Sequence, residues 1–473
     1  MPDRPLPDRP APDRPVVIAS NRGPVGYELR PDGSLATRRG GGGLVSGLAP
    51  LLEEGRATWI AAALSDGDRR AAAEDRPAED GLPVRLLDTG EEDHRLAYDV
   101  ISNETLWFVH HGLFDLTREP AYDDDWWDAW SAYRRVNERF AEAVCEHSPE
   151  GAAVLVQDYH LTLLAPTVSR ERPDLSLVHF HHTPFAGPDG LRVLPAGVRE
   201  ELLSSLAAHH ACGFHTAGWA ANFTASLEEW PPADLADGKG AVVFASTLST
   251  DPDDLRATAG SPECAAQLRS LDELVGDRQV VVRVDRMELS KNIVRGFAAF
   301  DLLLARRADL RGKVVFLARC YPSRQGVPAY ARYREEVEEA AARVNERWGD
   351  AGWQPVLLET DDDYPRSVAA LRRYDALLVN PVRDGLNLVA KEGPLVNERD
   401  GQVVLSTEAG AFTELHAAVD AVSPFDLSDT ADALAAALDR PAPERALRAQ
   451  RLRELVEART PADWLADQLA AAS

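Results

Sequence analysis

The chain is predicted to be an α/β protein with two open parallel sheets, and three observations carry that prediction. Short apolar runs recur along the 473 residues, separated by stretches able to form helices. Parallel strands need helix-length crossovers, so this alternation reads as parallel sheet. The runs also fall into two series. The first holds Val16-Val17-Ile18-Ala19, Val154-Leu155-Val156, Leu177-Val178-His179-Phe180 and Val242-Val243-Phe244; the second holds Val280-Val281-Val282, Val314-Val315-Phe316-Leu317, Val356-Leu357-Leu358, Ala376-Leu377-Leu378-Val379 and Val403-Val404-Leu405. Finally, the length exceeds what one hydrophobic core usually organises.

The tetrapeptide PDRP begins at Pro2, Pro7 and Pro12. Proline at that density builds neither helix nor ladder, so residues 1–15 are expected to be a disordered, PPII-like tail, with order beginning at Val16. Trp126, Trp127, Trp130, Tyr133, Val136 and Phe140 repeat at three- and four-residue spacing, which predicts an amphipathic helix with these aromatics as core. The polar segment Ser246 to Ser261 is the expected boundary between two Rossmann-like domains, 16–250 and 251–450. A last helix, Arg451 to Leu469 within 451–473, is expected to cross back to the first domain. Ligand is then expected in a cleft between the domains, at the carboxyl ends of both sheets.

Composition excludes several classes. Fifty-one basic residues against 77 acidic give a formal charge of -26, which opposes non-specific attraction to nucleic acid or an anionic membrane. Any anionic substrate must therefore be met by a local Arg and Lys cluster. Cys145, Cys212, Cys264 and Cys320 are scattered, without metal-ligand spacing or a disulfide framework. No run of about 18 apolar residues exists, and charged, Pro-rich sequence stands where a signal peptide would have its apolar core. A soluble cytoplasmic protein is expected, and a homo-oligomer is compatible with the sequence.

Four groups of residues can carry chemistry. Ser20-Asn21-Arg22-Gly23-Pro24 follows the first strand, and Gly40-Gly41-Gly42-Gly43-Leu44 follows at a distance; a polyglycine turn before a helix can bring backbone N–H groups to an anion, and a loop tip is the alternative. Val156-Gln157-Asp158-Tyr159-His160 and His181-His182-Thr183-Pro184-Phe185 end neighbouring strands, where α/β sheets bind ligands. Strand geometry points the two adjacent histidines to opposite faces, against a metal pair. Arg286-Met287-Glu288-Leu289-Ser290-Lys291 puts a guanidinium and an ammonium on one loop, suited to a diphosphate, with a solvated surface pair as the alternative. Asn380-Pro381-Val382-Arg383-Asp384-Gly385-Leu386-Asn387-Leu388-Val389-Ala390-Lys391-Glu392 reads as a strand end, a turn at Gly385 and a helix whose first amides can receive phosphate. A helix starting at that turn would put Glu392 roughly 12 Å from Asp384. Asp123-Asp124-Asp125 and Asp361-Asp362-Asp363 read as solvated loops, the first capping the Trp-rich helix.

Taken together, DGLNLVAKE, RMELSK, QDYH and HHTPF resemble the trehalose-6-phosphate synthase family, and the resemblance runs from about Val16 to Leu469. It implies the two-domain GT-B architecture, with the N-terminal domain binding the acceptor and the C-terminal domain the nucleotide sugar. The implied reaction is transfer of glucose, with retention, from GDP- or UDP-glucose onto glucose 6-phosphate, with no metal and no cofactor. Attack comes from the face of the departing phosphate, whose oxygen takes the acceptor proton, and domain closure completes the site. Arg286 and Lys291 then hold the donor diphosphate. Gly42 and Gly43 join Asp384, Gly385, Leu386, Asn387, Leu388 and Val389 around the donor glucose and phosphates, and Glu392 takes the ribose. His182 is similar to the histidine near the donor hydroxymethyl group. Arg22, Tyr98, Trp107, Asp158 and Arg324 match acceptor positions, with His215 where some members have glutamine. Arg286, Lys291, Asp158, His182 and Asp384 form the implied catalytic set. In the family the base lies against Glu359-Thr360-Asp361-Asp362-Asp363-Tyr364, and a carboxylate there suits the N–H donors of guanine. Two rivals share these motifs: a pseudo-glycosyltransferase coupling cyclitol analogues, like validoxylamine 7'-phosphate synthase, against which the intact VAKE argues, and a non-catalytic sugar-phosphate sensor, which has no need of leaving-group stabilisation.

Overall fold

The computed structural model describes residues 14–39, 45, 48, 57–76, 82–233 and 240–473. Most of the PDRP stretch and the glycine run, Gly42 and Gly43 included, lie outside them. Arg14 and Pro15, expected in the tail, are among the described residues and make contacts. Pro15 O accepts from Ala153 N at 2.9 Å, and Arg14 Nη1 donates to Ala472 O at 2.9 Å.

The chain groups into two compact units, Met1–Leu248 with Pro461–Ser473, and Ser249–Thr460. The described strands of the first are β1 (Val16–Ser20), β2 (Val25–Leu29), β3 (Leu35–Arg39), β4 (Ala57–Ala62), β5 (Val84–Leu87), β6 (Ala153–Gln157), β7 (Ser176–His181), β8 (Ala211–Phe214) and β9 (Val242–Ala245). Seven of them form a parallel sheet ordered β5-β4-β1-β6-β7-β8-β9, while β2 and β3 pair as an antiparallel hairpin. The second unit carries β10 (Gln279–Met287), β11 (Val314–Pro322), β12 (Val356–Glu359), β13 (Ala376–Val379), β14 (Gln402–Ser406) and β15 (Asp420–Val422), ordered β12-β11-β10-β13-β14-β15. Both orders run outward from a central strand and then reverse. Each sheet therefore has a switch point, between β1 and β6 in one and between β10 and β13 in the other, where open α/β sheets bind ligands.

Every apolar run read from the sequence is a strand, because strands covered on both faces stay apolar throughout. Among the strands missed, two carry residues that speak against strand. β4 is ATWIAA, rich in a helix former. β8 is four residues, ACGF, and its glycine answers to packing: a Cβ on Gly213 would stand 2.5 Å from Phe244 Cζ and 2.6 Å from Phe180 Cδ2.

Three helical expectations are corrected. In the helix Asp124–His147, Trp126, Trp130, Tyr133, Val136 and Phe140 are buried, but Trp127 is 40% exposed; adjacent residues on a helix point about 100° apart, so both tryptophans cannot face the core. Asp123 caps this helix, accepting from Trp126 N at 3.0 Å. The boundary segment is not all loop: Asp251 caps a helix, Pro252–Ala259, with proline in the first turn where its missing N–H costs nothing. The expected Arg451–Leu469 helix is two helices, Ala442–Glu457 and Pro461–Ala471. Proline at 461 ends the first and opens the second, and only the second belongs to the first unit.

The first unit buries an unusual set of imidazoles. His110, His179, His181 and His209 are at most 5% exposed, and burial holds all four below the ordinary histidine value, His110 at about 3 and His209 at about 4. A depressed folded-state value means that the unfolded chain binds more protons below about pH 6.5. Stability is therefore complete above that pH and lost as pH falls toward the folded values, by about 1.4 kcal/mol per pH unit for each histidine. Thermal melts from pH 7.5 to 5 are expected to show a steep loss below 6.5. Melts flat across that window would refute neutral burial of these rings.

Candidate active site

In the second unit the switch point assembles the charged residues. β10 and β13 run parallel with Val281 opposite Ala376, so the loops leaving their carboxyl ends emerge side by side. Lys291, on the first loop, places Nζ 2.6 Å from Asp384 Oδ2 on the second, with both side chains at most 15% exposed. Burial pulls the Lys291 ammonium down, but Asp384, Asp285 and Glu288 outweigh it and leave it above the ordinary lysine value. Asp384 also accepts from Asn387 Nδ2 at 3.1 Å and Leu386 N at 3.4 Å.

The loop from Asp384 rests on residues 408–411. Asp384 N donates to Glu408 O and Gly410 N to Asp384 O, each at 3.1 Å. A side chain at 410 would collide with the Gly385 carbonyl, since its Cβ would sit 2.0 Å away.

The helix after this loop starts later than expected. It spans Val389–Val396, with Leu388 at its cap, because Asn387 takes φ +77 and bends the chain out of helical space. Its side chain compensates: Oδ1 accepts from Ala390 N at 3.3 Å. The roughly 12 Å separation drawn from a helix beginning at Gly385 therefore does not apply. Three first-turn amides are thereby engaged, Ala390 N by Asn387 Oδ1 and both Lys391 N and Glu392 N by Leu388 O at 2.8 Å, so what this end can offer an anion is chiefly the positive end of the helix dipole.

Arg286 and Arg324 meet at Glu288. Glu288 Oε1 lies 3.2 Å from Arg286 Nη1 and 3.9 Å from Arg324 Nε, and the carboxylate is fully buried. Arg324 also donates to Tyr330 Oη at 2.7 Å. β10 and β11 are in register through Arg286 and Tyr321, which is why the residues just past β11 reach the same carboxylate. Sequence reasoning assigned the two arginines to different substrates and passed over the acid that holds both; its signal was its place two residues after Arg286.

Glu392 joins none of these contacts. Desolvation pushes its carboxyl up to about 7, and its charge is felt by Tyr364. A partly buried acid of this kind is suited to accept hydroxyl protons once ionised.

In the first unit, register again explains proximity. Gln157 pairs with Phe180 and His181 with Phe214, so Asp158, His182 and His215 leave three adjacent strands at one level. His182 N donates to Asp158 Oδ1 at 3.2 Å. His182 Nε2 lies 3.0 Å from Gln157 Oε1, and its Nδ1 3.2 Å from His215 Nε2. Gln157 Nε2 donates to Gln468 Oε1 at 3.1 Å, which leaves Gln157 Oε1 as the acceptor and fixes the proton on His182 Nε2. His182 Nδ1 must then accept from His215 Nε2–H. Desolvation holds His182 at about 3, so the ring is neutral. Both nitrogens are thus engaged within the unit, and the ring can meet a sugar hydroxyl only by exchanging one of these contacts.

Tyr98 and Trp107 come from a segment that periodicity did not reveal. Leu96–Leu106 is a π-helix followed by the α-helix Trp107–His111. Nine residues make about two and a half α-turns, which would oppose the two rings; the wider coil brings them nearer one face. Tyr98 stacks on His160 at 5.6 Å and Trp107 lies 6.0 Å from Tyr159. Arg22 Nη2 donates to Tyr98 Oη at 3.3 Å, and His160 Nδ1 stands 3.9 Å from Asp158 Oδ2. Arg22, Tyr98 and Asp158 are thereby linked through His160.

Glu392 provides a test. Its raised folded value means that ionisation opposes folding: the stability it allows is complete below its unfolded value, near 4.5, and is lost as pH rises through about 7. Glu392→Gln is expected to stabilise the ligand-free protein at pH 8 by up to about 3 kcal/mol, read as a higher melting temperature, and to leave it nearly unchanged at pH 4. An equal effect at both pH values would show that the carboxyl titrates normally.

Similarity to known proteins agrees with this geometry. The glycosyltransferase family 20 signature matches residues 14–473. A trehalose-6-phosphate synthase of Mycobacterium sp. (strain KMS) is 35% identical, over 96% of each chain. Among solved structures, trehalose-6-phosphate from E. coli bound with UDP-2-fluoro glucose superposes with a TM-score of 0.82 at 26% identity, covering 95% of this chain and 96% of that one. A UDP-forming alpha,alpha-trehalose-phosphate synthase from Burkholderia xenovorans in complex with glucose-6-phosphate gives 0.79 at 27% identity, covering 95% and 98%. These likenesses support the synthase reading and neither rival, and the two parallel sheets are those of the GT-B architecture. With the signature spanning nearly the whole sequence, the chain belongs to glycosyltransferase family 20, as a hexosyltransferase.

Proposed function

We propose that the chain transfers glucose, with retention, from a nucleoside diphosphate glucose to glucose 6-phosphate, giving trehalose 6-phosphate and the free nucleotide. The observation that carries this reading is the Lys291–Asp384 pair at the β10/β13 switch point, beside Arg286 and a helix N-terminus. A buried ammonium held by a carboxylate can pass part of its interaction to a diphosphate. That interaction strengthens as the leaving phosphate gains charge, which lowers the barrier. Asp384, relieved of some of that pairing, can accept a hydroxyl of the transferred glucose. Arg286 adds a second cation, and the positive end of the Val389–Val396 helix dipole favours the remaining phosphate charge. In the other unit, Arg22, Tyr98, Trp107, Asp158 and His215 are the proposed acceptor ligands, and in the second unit Arg324 is a proposed ligand of the acceptor phosphate. The departing phosphate oxygen takes the acceptor proton, so catalysis is mostly positioning and leaving-group stabilisation. With the diphosphate charge met by side chains and the helix dipole, no divalent metal is required.

The experiment is a donor-by-acceptor matrix read by released nucleotide, with the product identified by mass and a chelator in one arm. Transfer to glucose 6-phosphate that survives the chelator is expected. A chelator-sensitive activity restored by magnesium would overturn the metal-free reading, and a product other than trehalose 6-phosphate would overturn the acceptor.

Substitutions separate the roles. Lys291→Ala and Arg286→Ala are expected to lower turnover about 100-fold each, or about 3 kcal/mol. Arg22→Ala and Arg324→Ala are expected to raise the acceptor Michaelis constant while sparing donor affinity. Loss of donor binding in the latter two would move them out of the acceptor set.

The base contact rests on the loop after β12. Two of its acids are committed elsewhere: Glu359 pairs with Arg319 at 2.5 Å and Arg366 at 2.6 Å, and Asp363 caps the helix Tyr364–Arg373. Asp361 Oδ2 stands 4.0 Å from Arg366 Nη1, which leaves Asp362 as the carboxylate proposed to receive guanine N–H groups. GDP-glucose is therefore proposed as a donor at least as good as UDP-glucose. Steady-state kinetics with both decides this: a uridine preference above about tenfold, roughly 1.4 kcal/mol, would overturn it.

A further inference from the structure

We infer that Arg283, which the donor-site reading does not use, is a positioning residue that fixes the place of the Lys291 ammonium. Its side chain is fully buried on β10, where the guanidinium gathers four partners. Nε donates to Asp285 Oδ2 at 2.8 Å. Nη2 donates to Lys291 O at 2.7 Å and to Asn380 Oδ1 at 2.6 Å, while Nη1 stands 3.5 Å from Asn292 O. One planar fork thus ties the turn that carries Lys291 to the residue that ends β13 and opens the loop of Asp384. A lysine lacks the geometry to make these contacts together.

Two neighbours are shaped to the same end. Asn292 takes φ +61, and its amide donates to Asn380 O at 2.9 Å and Pro424 O at 2.8 Å, a second strap between the two loops. Gly296, on the helix Ile293–Arg306, leaves the guanidinium its space: a Cβ there would stand 2.6 Å from Arg283 Nη1 and 3.5 Å from Asn380 Oδ1.

Charge makes the placement selective. Arg283 pairs with Asp285 and Lys291 with Asp384, so this buried group of two cations and two anions is balanced. Removing the guanidinium leaves Asp285 buried beside Lys291 without its own cation. An unpaired buried carboxylate is costly, and the Lys291 ammonium, whose charge already acts on Asp285, is drawn toward it. Loss of Arg283 therefore misplaces Lys291 in two ways, by freeing its backbone and by drawing its charge toward Asp285.

This inference rests on the reading of Lys291 as a diphosphate ligand, so the test carries Lys291→Ala as a control. Arg283→Met, Arg283→Met with Asp285→Asn, and Gly296→Ala are measured for melting temperature, for nucleoside diphosphate affinity by calorimetry, and for kcat and acceptor KM. Alanine is the better helix former, so Gly296→Ala presses on the guanidinium without weakening the helix, and it keeps the test open should the methionine variants not fold. Expected are a kcat about 10- to 100-fold lower, weaker diphosphate binding, an unchanged acceptor KM, and a smaller kcat loss in the double variant than in Arg283→Met alone. A purely structural role would lower melting and leave kcat per folded molecule and diphosphate affinity intact; that result in Gly296→Ala, or in the double variant, overturns the inference. If Lys291→Ala itself spares diphosphate affinity and kcat, the reading of Lys291 falls. If only Lys291→Ala is impaired, that reading stands and the positioning role of Arg283 falls.

Discussion

The constraint on which the second unit depends is the burial of ionised groups at the end of its sheet. Lys291, Asp384, Arg283 and Asp285 are all at most 15% exposed, and charges so placed persist only when each is paired and hydrogen-bonded. The pairing dictates the geometry. The turn after β10 must bring the Lys291 carbonyl to Arg283 and its ammonium to Asp384, and the loop after β13 must turn at Asp384, which Gly410 permits by letting the Gly385 backbone approach. A site organised this way is preorganised for an anion, because the cations are already held before the ligand arrives.

The first unit solves a different problem with neutral groups. Leu248 N, 3.5 Å from His215 Nδ1, opens a directional chain that passes through His182 and Gln157 to Gln468. Every imidazole in it is uncharged where its proton can be assigned, and its far end lies on the returning helix Pro461–Ala471, whose Trp464 packs 5.7 Å from the His182 ring. Neutral donors and acceptors suit sugar hydroxyls, which carry no charge to match, whereas the cationic cluster suits a diphosphate.

How far this was legible in the sequence depends on what signal each feature leaves. Strands buried on both faces leave unbroken apolar runs, so the sheets could be read, and Asp158, His182, Lys291 and Asp384 could be placed beyond the carboxyl ends of their strands. The alanine-rich β4 and the four-residue β8 left no such trace. The π-helix hid the relation of Tyr98 to Trp107, because periodicity at 3.6 residues per turn assigns them to opposite sides. Glu288, Arg283 and Asn292 were missed for another reason. A buried polar residue looks like a surface one in sequence, and only the fold shows that a glycine at 296 was vacated for a guanidinium.

Backbone strain offers a reading of the site that needs no family likeness. Of the six non-glycine residues with positive φ among the described residues, Asp158, Asn292 and Asn387 belong to the motifs or stand directly after one, and Arg324 is one of the matched acceptor positions. Each such conformation costs on the order of 1–3 kcal/mol for a residue with a side chain, so a fold retains it only where neighbouring contacts over-determine it. Those contacts are visible. Asp158 is held by Phe180 O and by His182 N, Asn292 by its two carbonyl acceptors, Arg324 by Tyr330 and Glu288, and Asn387 by Asp384 and Ala390. Asp158 and Arg324 turn the chain within two residues of a strand's end, whereas Asn292 and Asn387 lie farther along the loops after β10 and β13, each just before the following helix. A relaxed backbone would carry the chain on into the following helix and point these side chains elsewhere. The strain is therefore the local cost of aiming functional groups from rigid strands, and its clustering at these positions marks the site independently of any motif.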